Sequence, residues 1–128
     1  MTLLHEVDGL TAAGVMHRRL STVPAAATVG DVRDYFAASS SRQLAVMVDG
    51  SRYVGSIAAG GISEDVDASA PAIDHATYGP VIDERADASV ARDLALEQPS
   101  RRLPVIDDGG VLVGIVAINH RLDGFCGT

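Results

Sequence analysis

Residues 42–58 read RQLAVMVDGSRYVGSIA, and residues 101–117 read RRLPVIDDGGVLVGIVA. The two segments align without a gap at a constant offset of 59 residues, which takes Val46 to Val105 and Gly55 to Gly114. Arginine, leucine, valine, aspartate, glycine and alanine recur in the same order in both. A repeat at a fixed period decides the architecture of a chain, so we predict an internal duplication.

Each copy of this repeat has the pattern of a β-hairpin. Apolar and β-branched residues lie on both sides of an Asp-Gly pair, Asp49-Gly50 in the first copy and Asp108-Gly109 in the second. Asp-Gly flanked by such runs is a strong local signal for a tight turn between antiparallel strands.

A helix is predicted upstream of each hairpin. Thr28 and Asp31 have the spacing of a capping box, and apolar residues follow at helical intervals, which predicts a helix over residues 29–39. The second helix is expected to be shorter, because Pro99 prevents its continuation. Its predicted apolar face consists of Val90, Ala91, Leu94 and Ala95.

Val23-Pro24 and Val81-Ile82 are candidates for a short first strand ahead of each helix. The predicted fold class is therefore α+β, with two strand-helix-strand-strand repeats. We assign residues 1–9 to an N-terminal extension, 10–61 to repeat 1, 62–74 to an acidic linker or short helix, and 75–128 to repeat 2.

The size of the chain constrains how the repeats fold. At 128 residues, neither half can bury a sufficient core by itself. One hairpin with one helix leaves an apolar sheet face exposed, so we expect the two repeats to pack face to face as a pseudo-twofold pair.

Charge and hydropathy exclude several classes of function. The net charge of −7 opposes binding to nucleic acid or to an anionic membrane surface. The longest apolar stretch, around residues 111–118, is much shorter than the roughly 20 residues of a membrane-spanning helix. Glu6 and Asp8 stand where a secretory signal has basic residues, so we expect a cytoplasmic protein.

No catalytic or metal-binding pattern is found. His5, His17, His75 and His120 show no two-ligand spacing, and the single Cys126 has neither a cysteine partner for zinc nor a base partner for catalysis. We therefore expect no metal, no cofactor and no enzymatic activity.

The chain resembles the cystathionine β-synthase (CBS) domain family in both repeats. The matching pieces are Gly14-Val15-Met16, Thr28-Val29 and the first hairpin in repeat 1, and Ser89-Val90 and the second hairpin in repeat 2. The resemblance covers about residues 10–125 and implies two βαββ(α) repeats paired as a stand-alone tandem CBS pair. It also implies a homodimer and, in many members, adenosine-nucleotide sites between the repeats.

The sequence departs from the family at the segment that commonly binds the ligand. Family members carry Gly-apolar-apolar-Thr/Ser, two further residues and Asp, where the hydroxyl can meet a phosphate and the carboxylate the ribose. Here Ala58 and Gly61 replace the hydroxyl and the carboxylate in repeat 1, and Ala117 and His120 replace them in repeat 2.

The resemblance places a candidate ligand site in repeat 2. Its predicted residues, which surround the second hairpin, are Arg101, Arg102, Pro104, Gly114, Asn119, His120 and Arg121. Other interpretations of these residues stay open. Asn119, His120 and Arg121 fit a polar helix start with solvated side chains, and Arg101 and Arg102 fit a solvated loop. Gly55 and Gly114 fit close strand packing rather than ligand approach.

Two functions follow from the resemblance. The first is a regulatory module that senses an adenosine-containing ligand such as AMP, ATP or adenosylmethionine and controls an unidentified protein. The second is a degenerate CBS pair that binds no nucleotide and serves only in dimerisation or protein interaction. The altered positions favour the second.

Overall fold

The structure is a computed structural model that describes residues 1–128. Six strands and three α-helices follow one another along the chain, with a 3₁₀ helix between β3 and β4. In order they are α1 (Ala12–Val15), β1 (Thr22–Pro24), α2 (Val29–Ala37), β2 (Leu44–Asp49), β3 (Arg52–Ala58), the 3₁₀ helix (Ala72–His75), β4 (Ile82–Asp83), α3 (Ala88–Glu97), β5 (Arg102–Ile106) and β6 (Leu112–Ala117).

The strands form two three-stranded sheets with the same topology. In the first, β2 pairs in parallel with β1 and antiparallel with β3. In the second, β5 pairs in parallel with β4 and antiparallel with β6. The duplication and the α+β fold class predicted from the sequence are confirmed.

Neither repeat ends in a helix. The turn Ala58–Gly61 follows β3, closed by a hydrogen bond of 2.8 Å from the Gly61 N–H to the Ala58 carbonyl. A turn at residues 119–122 follows β6, and Phe125 then pairs with Ile118. The optional last helix of the predicted βαββ(α) repeat is therefore absent from both copies. No helix is both long enough and apolar enough to cross a membrane.

The chain divides into two compact units whose limits differ from the predicted repeat boundaries. Ser21–Gly79 form one unit, here called the continuous unit, and Met1–Leu20 with Pro80–Thr128 form the other, here called the split unit. Residues 10–20 join the split unit because Thr11 bridges Asp87 at the start of α3 and His17 bridges Ile115 in β6 through their backbones.

The segment 62–74 is part of the continuous unit rather than a simple connection. The Val29 N–H donates to the Ala70 carbonyl at 2.8 Å, and the Ala72 N–H donates to the Ala27 carbonyl at 3.0 Å. The sequence predicted a linker or a short helix for this segment. A short helix is found only at its end, where the 3₁₀ helix begins at the fully buried Ala72.

Local signals account for both main helices, with two corrections. The Thr28 hydroxyl accepts from the Asp31 N–H at 3.1 Å and the Asp31 carboxylate accepts from the Thr28 N–H at 3.0 Å, so the capping box of α2 is complete. The expectation of a shorter second helix is wrong, because α3 has ten residues and α2 has nine. Val90 is 48% exposed because the buried face of α3 consists of Ala88, Ala91 and Ala95.

The two hairpin loops differ in length. Asp49 pairs with Arg52 in the first, which leaves a two-residue turn with Gly50 at φ 63°. In the second, the Asp107 N–H donates to the Val111 carbonyl at 3.0 Å, and the positive φ of 80° falls on Gly110. Glycine adopts this backbone conformation without the steric penalty that a Cβ introduces.

Each unit has its own hydrophobic core. In the continuous unit, buried side chains of β1, α2, β2 and β3 pack with the segment 62–76. In the split unit, α1, α3, β5 and β6 pack around Phe125, which is fully buried.

Candidate ligand site of the second repeat

The open end of the second hairpin brings most of the predicted site residues together. Arg102 pairs with Ala117 across β5 and β6, and the Ile118 N–H donates to the Arg101 carbonyl at 3.0 Å. Both arginines therefore lie beside the start of the turn that carries Asn119, His120 and Arg121. This end of the split unit concentrates positive charge in a chain whose net charge is −7.

Arg101 uses its side chain to close the end of α3. Its Nη1 donates to the Gln98 carbonyl at 2.9 Å and also to the Leu96 carbonyl. Its counterpart Arg42 donates from Nη1 to the Tyr35 carbonyl in the last turn of α2 at 2.7 Å. A cation at a helix C-terminus satisfies free carbonyls and opposes the helix dipole, so the repeated arginine has a structural role.

Only one nitrogen of the Arg102 side chain is hydrogen-bonded within the protein. Its Nη1 donates to the carbonyls of Ser100, Arg101 and Ile118, each at 3.2 Å. All of these side-chain bonds come from Nη1, so Nε and Nη2 stay free to donate to an anion. A guanidinium held in this way is suited to phosphate or carboxylate recognition.

The turn after β6 holds Asn119 and presents the two basic residues that follow. The Asn119 amide donates to the Asp123 carboxylate at 2.7 Å, and its oxygen accepts from the Asp123 N–H at 3.1 Å. His120 and Arg121 are exposed. The predicted polar helix start is therefore wrong, because the Asn119–Asp123 pair closes a tight turn instead.

Pro104 and Gly114 lie inside the sheet. Pro104 is fully buried opposite Ile115, whose backbone N–H and carbonyl are directed to His17. The backbone hydrogen bonds of Ile115 therefore point away from β5, and β4 pairs with β5 only from Val105 onward. Pro104 has no N–H, but at this position neither neighbouring strand offers an acceptor for one, so the sheet loses no hydrogen bond.

Gly114 permits a close approach of α1 to β6. A Cβ at this position would overlap the Met16 side chain and lie 3.0 Å from the His17 carbonyl oxygen. At Gly55 a Cβ would lie 3.0 Å from the Ala76 Cβ. Both glycines serve close packing, which was the alternative drawn from the sequence.

His17 is a residue of this site that the sequence analysis did not select. It lies along the outer edge of β6, where its backbone exchanges hydrogen bonds of 2.9 and 3.1 Å with Ile115. Burial lowers the pKa of His17, the backbone of Arg19 raises it, and the nearby charge of Arg102 lowers it. The sequence signal that could have pointed to His17 is its position directly after Gly14-Val15-Met16, a segment that resembles the family.

The structure brings no three His, Cys, Asp or Glu side chains together in a way that could hold a metal ion. The chemistry available at this end of the hairpin is therefore that of cationic hydrogen-bond donors.

Comparison with known proteins finds a family match in the second repeat. The CBS domain family model matches residues 73–122. The chain also matches solved CBS pairs over most of its length. Residues 73–122 match the CBS domain, and the chain has the fold of solved CBS-domain pairs.

Three solved structures illustrate the likeness. The CBS-pair protein CBSX2 of Arabidopsis thaliana, in its complex with AMP, is 25% identical, with a TM-score of 0.70 and coverage of 85% of this chain and 90% of that one. A CBS domain protein from Pyrobaculum aerophilum, complexed with AMP, is 19% identical, with a TM-score of 0.72 and coverage of 88% and 95%. A CBS domain pair/ACT domain protein from Thermotoga maritima is 18% identical, with a TM-score of 0.72 and coverage of 84% and 89%. No curated protein sequence matches this chain.

The two repeats differ at the altered ligand segment. Ala117 is 1% exposed, and its carbonyl accepts from the Cys126 N–H at 2.7 Å, so the C-terminal tail lies over it. Ala58 is exposed, and its carbonyl accepts from the Gly61 N–H within a tight turn. The two repeats therefore surround equivalent alanines in different ways.

Proposed function

We propose that this CBS pair is a regulatory module that binds an adenine nucleotide or a related anionic ligand at the second repeat. The observation that carries the proposal is the position of Arg102, whose Nη1 bonds the Ile118 carbonyl and whose other side-chain nitrogens are free, next to the turn that carries the exposed His120 and Arg121. CBS pairs of the same fold have been solved with AMP and with ATP, which supports the choice of ligand class.

The residues of the site take different roles in this proposal. Arg102, His120 and Arg121 contact the phosphate, and His17 contributes from the edge of β6. Arg101 and Asn119 shape the site through their bonds to the end of α3 and to Asp123. Pro104 and Gly114 act through the packing of the sheet.

A thermal-shift panel of AMP, ADP, ATP, adenosylmethionine and dinucleotides tests the proposal. A ligand at 100 times its Kd adds about 2.7 kcal/mol of stability, which raises the Tm of a domain of this size by several degrees. Arg102→Ala and His120→Ala should each reduce the shift, because each removes one phosphate contact. Arg52→Ala, which removes an exposed arginine from β3 of the continuous unit, is the matched control and should keep it. Equal shifts in all three variants would place the ligand elsewhere.

A second function, protein interaction without nucleotide binding, is favoured because several side chains of the site already form hydrogen bonds within the protein. Arg101 and Asn119 already bond within the chain, and alanines stand at both hydroxyl positions of the family segment. A CBS pair without nucleotide affinity would then act in dimerisation or protein interaction. No thermal shift with any ligand, together with a dimer in sedimentation equilibrium, would favour this second function.

In both cases we propose a cytoplasmic homodimer that regulates another protein and has no catalytic activity of its own. The absence of a catalytic pattern in the sequence and the CBS fold support a regulatory role.

A further inference from the structure

Residues 126–128, here called the strap, lie along the edge of β6 beside the proposed ligand site. The Cys126 N–H donates to the Ala117 carbonyl at 2.7 Å. Ala117 is 1% exposed, and it stands where the family segment carries its hydroxyl. The strap therefore covers a position that the ligand of the proposed function has to reach.

The strap also lies against His17. A Cβ added to Gly127 would come within 2.6 Å of the His17 Cβ, so the bare glycine backbone allows this close contact. His17 is near enough to Arg102 for the guanidinium charge to contribute to the lowered pKa of the imidazole. Ala117 pairs with Arg102 across β5 and β6. Both residues beneath the strap are thus neighbours of Arg102, the cation on which the proposed ligand site depends.

The far end of the strap is held by one hydroxyl group. The Thr128 Oγ1 donates to the Phe125 carbonyl at 3.0 Å and accepts from the Thr2 N–H at 2.9 Å. Gly127 and Thr128 are exposed, so no side chain of theirs is buried in the core. The strap is therefore held by few contacts and can open without unfolding β6.

Phe125 fixes the point at which the strap begins. Its side chain is fully buried, and its N–H donates to the Thr2 carbonyl at 2.9 Å. Rotation of the backbone after Phe125 is sufficient to lift residues 126–128. Such a movement leaves Phe125 and the core of the split unit in place.

The first repeat has no equivalent strap. Ala58, which corresponds to Ala117 at the offset of 59 residues, is exposed. Its carbonyl accepts from the Gly61 N–H at 2.8 Å within one tight turn, and both residues line an open cavity of about 480 Å³. The comparison indicates that closure at Ala117 is an addition of the tail and not a property of the repeat.

We propose that the strap is an autoinhibitory contact that competes with the ligand of the second repeat. When it is closed, Cys126 bonds Ala117 and Gly127 packs on His17; when the ligand binds, residues 126–128 are released. This inference rests on the proposed nucleotide binding and adds the movement that reports it. If the strap is open in about one molecule in ten, the apparent affinity is about tenfold weaker than that of a permanently open site.

The test opens the strap with Gly127→Ala, whose added Cβ would overlap His17. Gly9→Ala is the matched control, because Gly9 lies in the same unit at φ 75°, against 76° for Gly127, and a Cβ there meets no atom within 4 Å. Affinity for AMP and for ATP is measured by isothermal titration calorimetry on the full chain. Gly127→Ala should bind about tenfold more tightly than Gly9→Ala. Thr128→Ala is a milder second variant that removes two hydrogen bonds and should act in the same direction.

Amide hydrogen exchange in the unchanged chain measures the movement itself. Saturating AMP should speed exchange at the Cys126 N–H, because its bond to the Ala117 carbonyl is broken. The Ala72 N–H, which donates to the Ala27 carbonyl in the continuous unit, is the control and should exchange at the same rate with and without AMP.

The strap and the nucleotide site fail in different ways. If a nucleotide binds but Gly127→Ala and Thr128→Ala have the affinity of Gly9→Ala, or if AMP slows exchange at Cys126, only the strap proposal is overturned. If neither nucleotide binds the unchanged chain or any variant, the proposed nucleotide binding fails and the strap proposal fails with it. Binding by Gly127→Ala and not by the unchanged chain would support both.

Discussion

His17 should make the stability of the protein depend on pH. Burial lowers its pKa below the ordinary value of 6.5, so the folded chain binds this proton less readily than the unfolded chain does. The unfolded state then carries more bound protons just below pH 6.5, and the free energy of unfolding rises with pH through that range. The contribution is fully present above that pH and is lost as the pH falls toward the folded-state pKa.

Urea unfolding at pH 5.5 and 7.5 measures this effect directly. His17→Gln should flatten the difference in the free energy of unfolding between the two pH values, since glutamine does not titrate. An NMR titration of the His17 ring checks the cause, and a midpoint at or above 6.5 would contradict it. If the phosphate of a nucleotide binds beside Arg102 as proposed, the same titration should move to higher pH when the ligand is added.

At the scale of the helix, substitution of Arg101 tests whether the repeated arginines Arg42 and Arg101 stabilise the fold. Arg101→Ala removes two bonds to the end of α3 and should lower the free energy of unfolding by about 1–2 kcal/mol. Arg101 has φ 54°, a conformation that glycine adopts without strain. Arg101→Gly should therefore be less destabilising than Arg101→Ala, by about 1 kcal/mol.

Arg42→Ala is the matched variant in the first repeat, where Arg42 also stacks 4.2 Å from the centroid of the Tyr35 ring. All three variants are compared by urea unfolding without ligand. If Arg101→Ala changes stability by less than about 0.5 kcal/mol, the value expected of a neutral surface substitution, its role lies in ligand binding instead.

The elements were largely predictable because their signals are local. The capping box at Thr28 and Asp31 and the two Asp-Gly hairpins rest on residues within four positions of one another, and the structure confirms them. One of the residues predicted for the apolar face of α3, Val90, is exposed, whereas Ala88 is fully buried. Ala88 was missed because alanine is a weak hydrophobic signal in a sequence. The site was harder to predict, because Arg101 looks like a ligand residue until its helix carbonyl partners are known.

For the whole molecule, the duplication was visible in the sequence, whereas the composition of the split unit was not. Pairing of Thr11 with Asp87 and of His17 with Ile115 joins residues 76 and 98 positions apart, and no local pattern reports such contacts. The resemblance assigned Gly14-Val15-Met16 to repeat 1, because these residues precede the first hairpin in the sequence. The backbone bonds of His17 to Ile115 hold the preceding Met16 against β6, where Gly114 provides the space.

Phe125 should be the residue on which the split unit depends most. It is fully buried, its N–H donates to the Thr2 carbonyl at 2.9 Å, and it packs with side chains of α3 and β6. Truncating a buried phenylalanine costs about 3–5 kcal/mol, which is a large part of the roughly 5–15 kcal/mol that stabilises a typical domain. Phe125→Ala should therefore lower the urea midpoint strongly.

Leu122→Ala is the control, because Leu122 lies in the same tail but is 44% exposed, and its change should stay within about 0.5 kcal/mol. Hydrogen exchange locates the damage. In Phe125→Ala, protection should fall at the amides of Leu4 and Cys126, because the Leu4 N–H joins the first residues of the chain to the tail and the Cys126 N–H joins the tail to β6. If Phe125→Ala is no more destabilising than Leu122→Ala, the tail does not complete the core of the split unit.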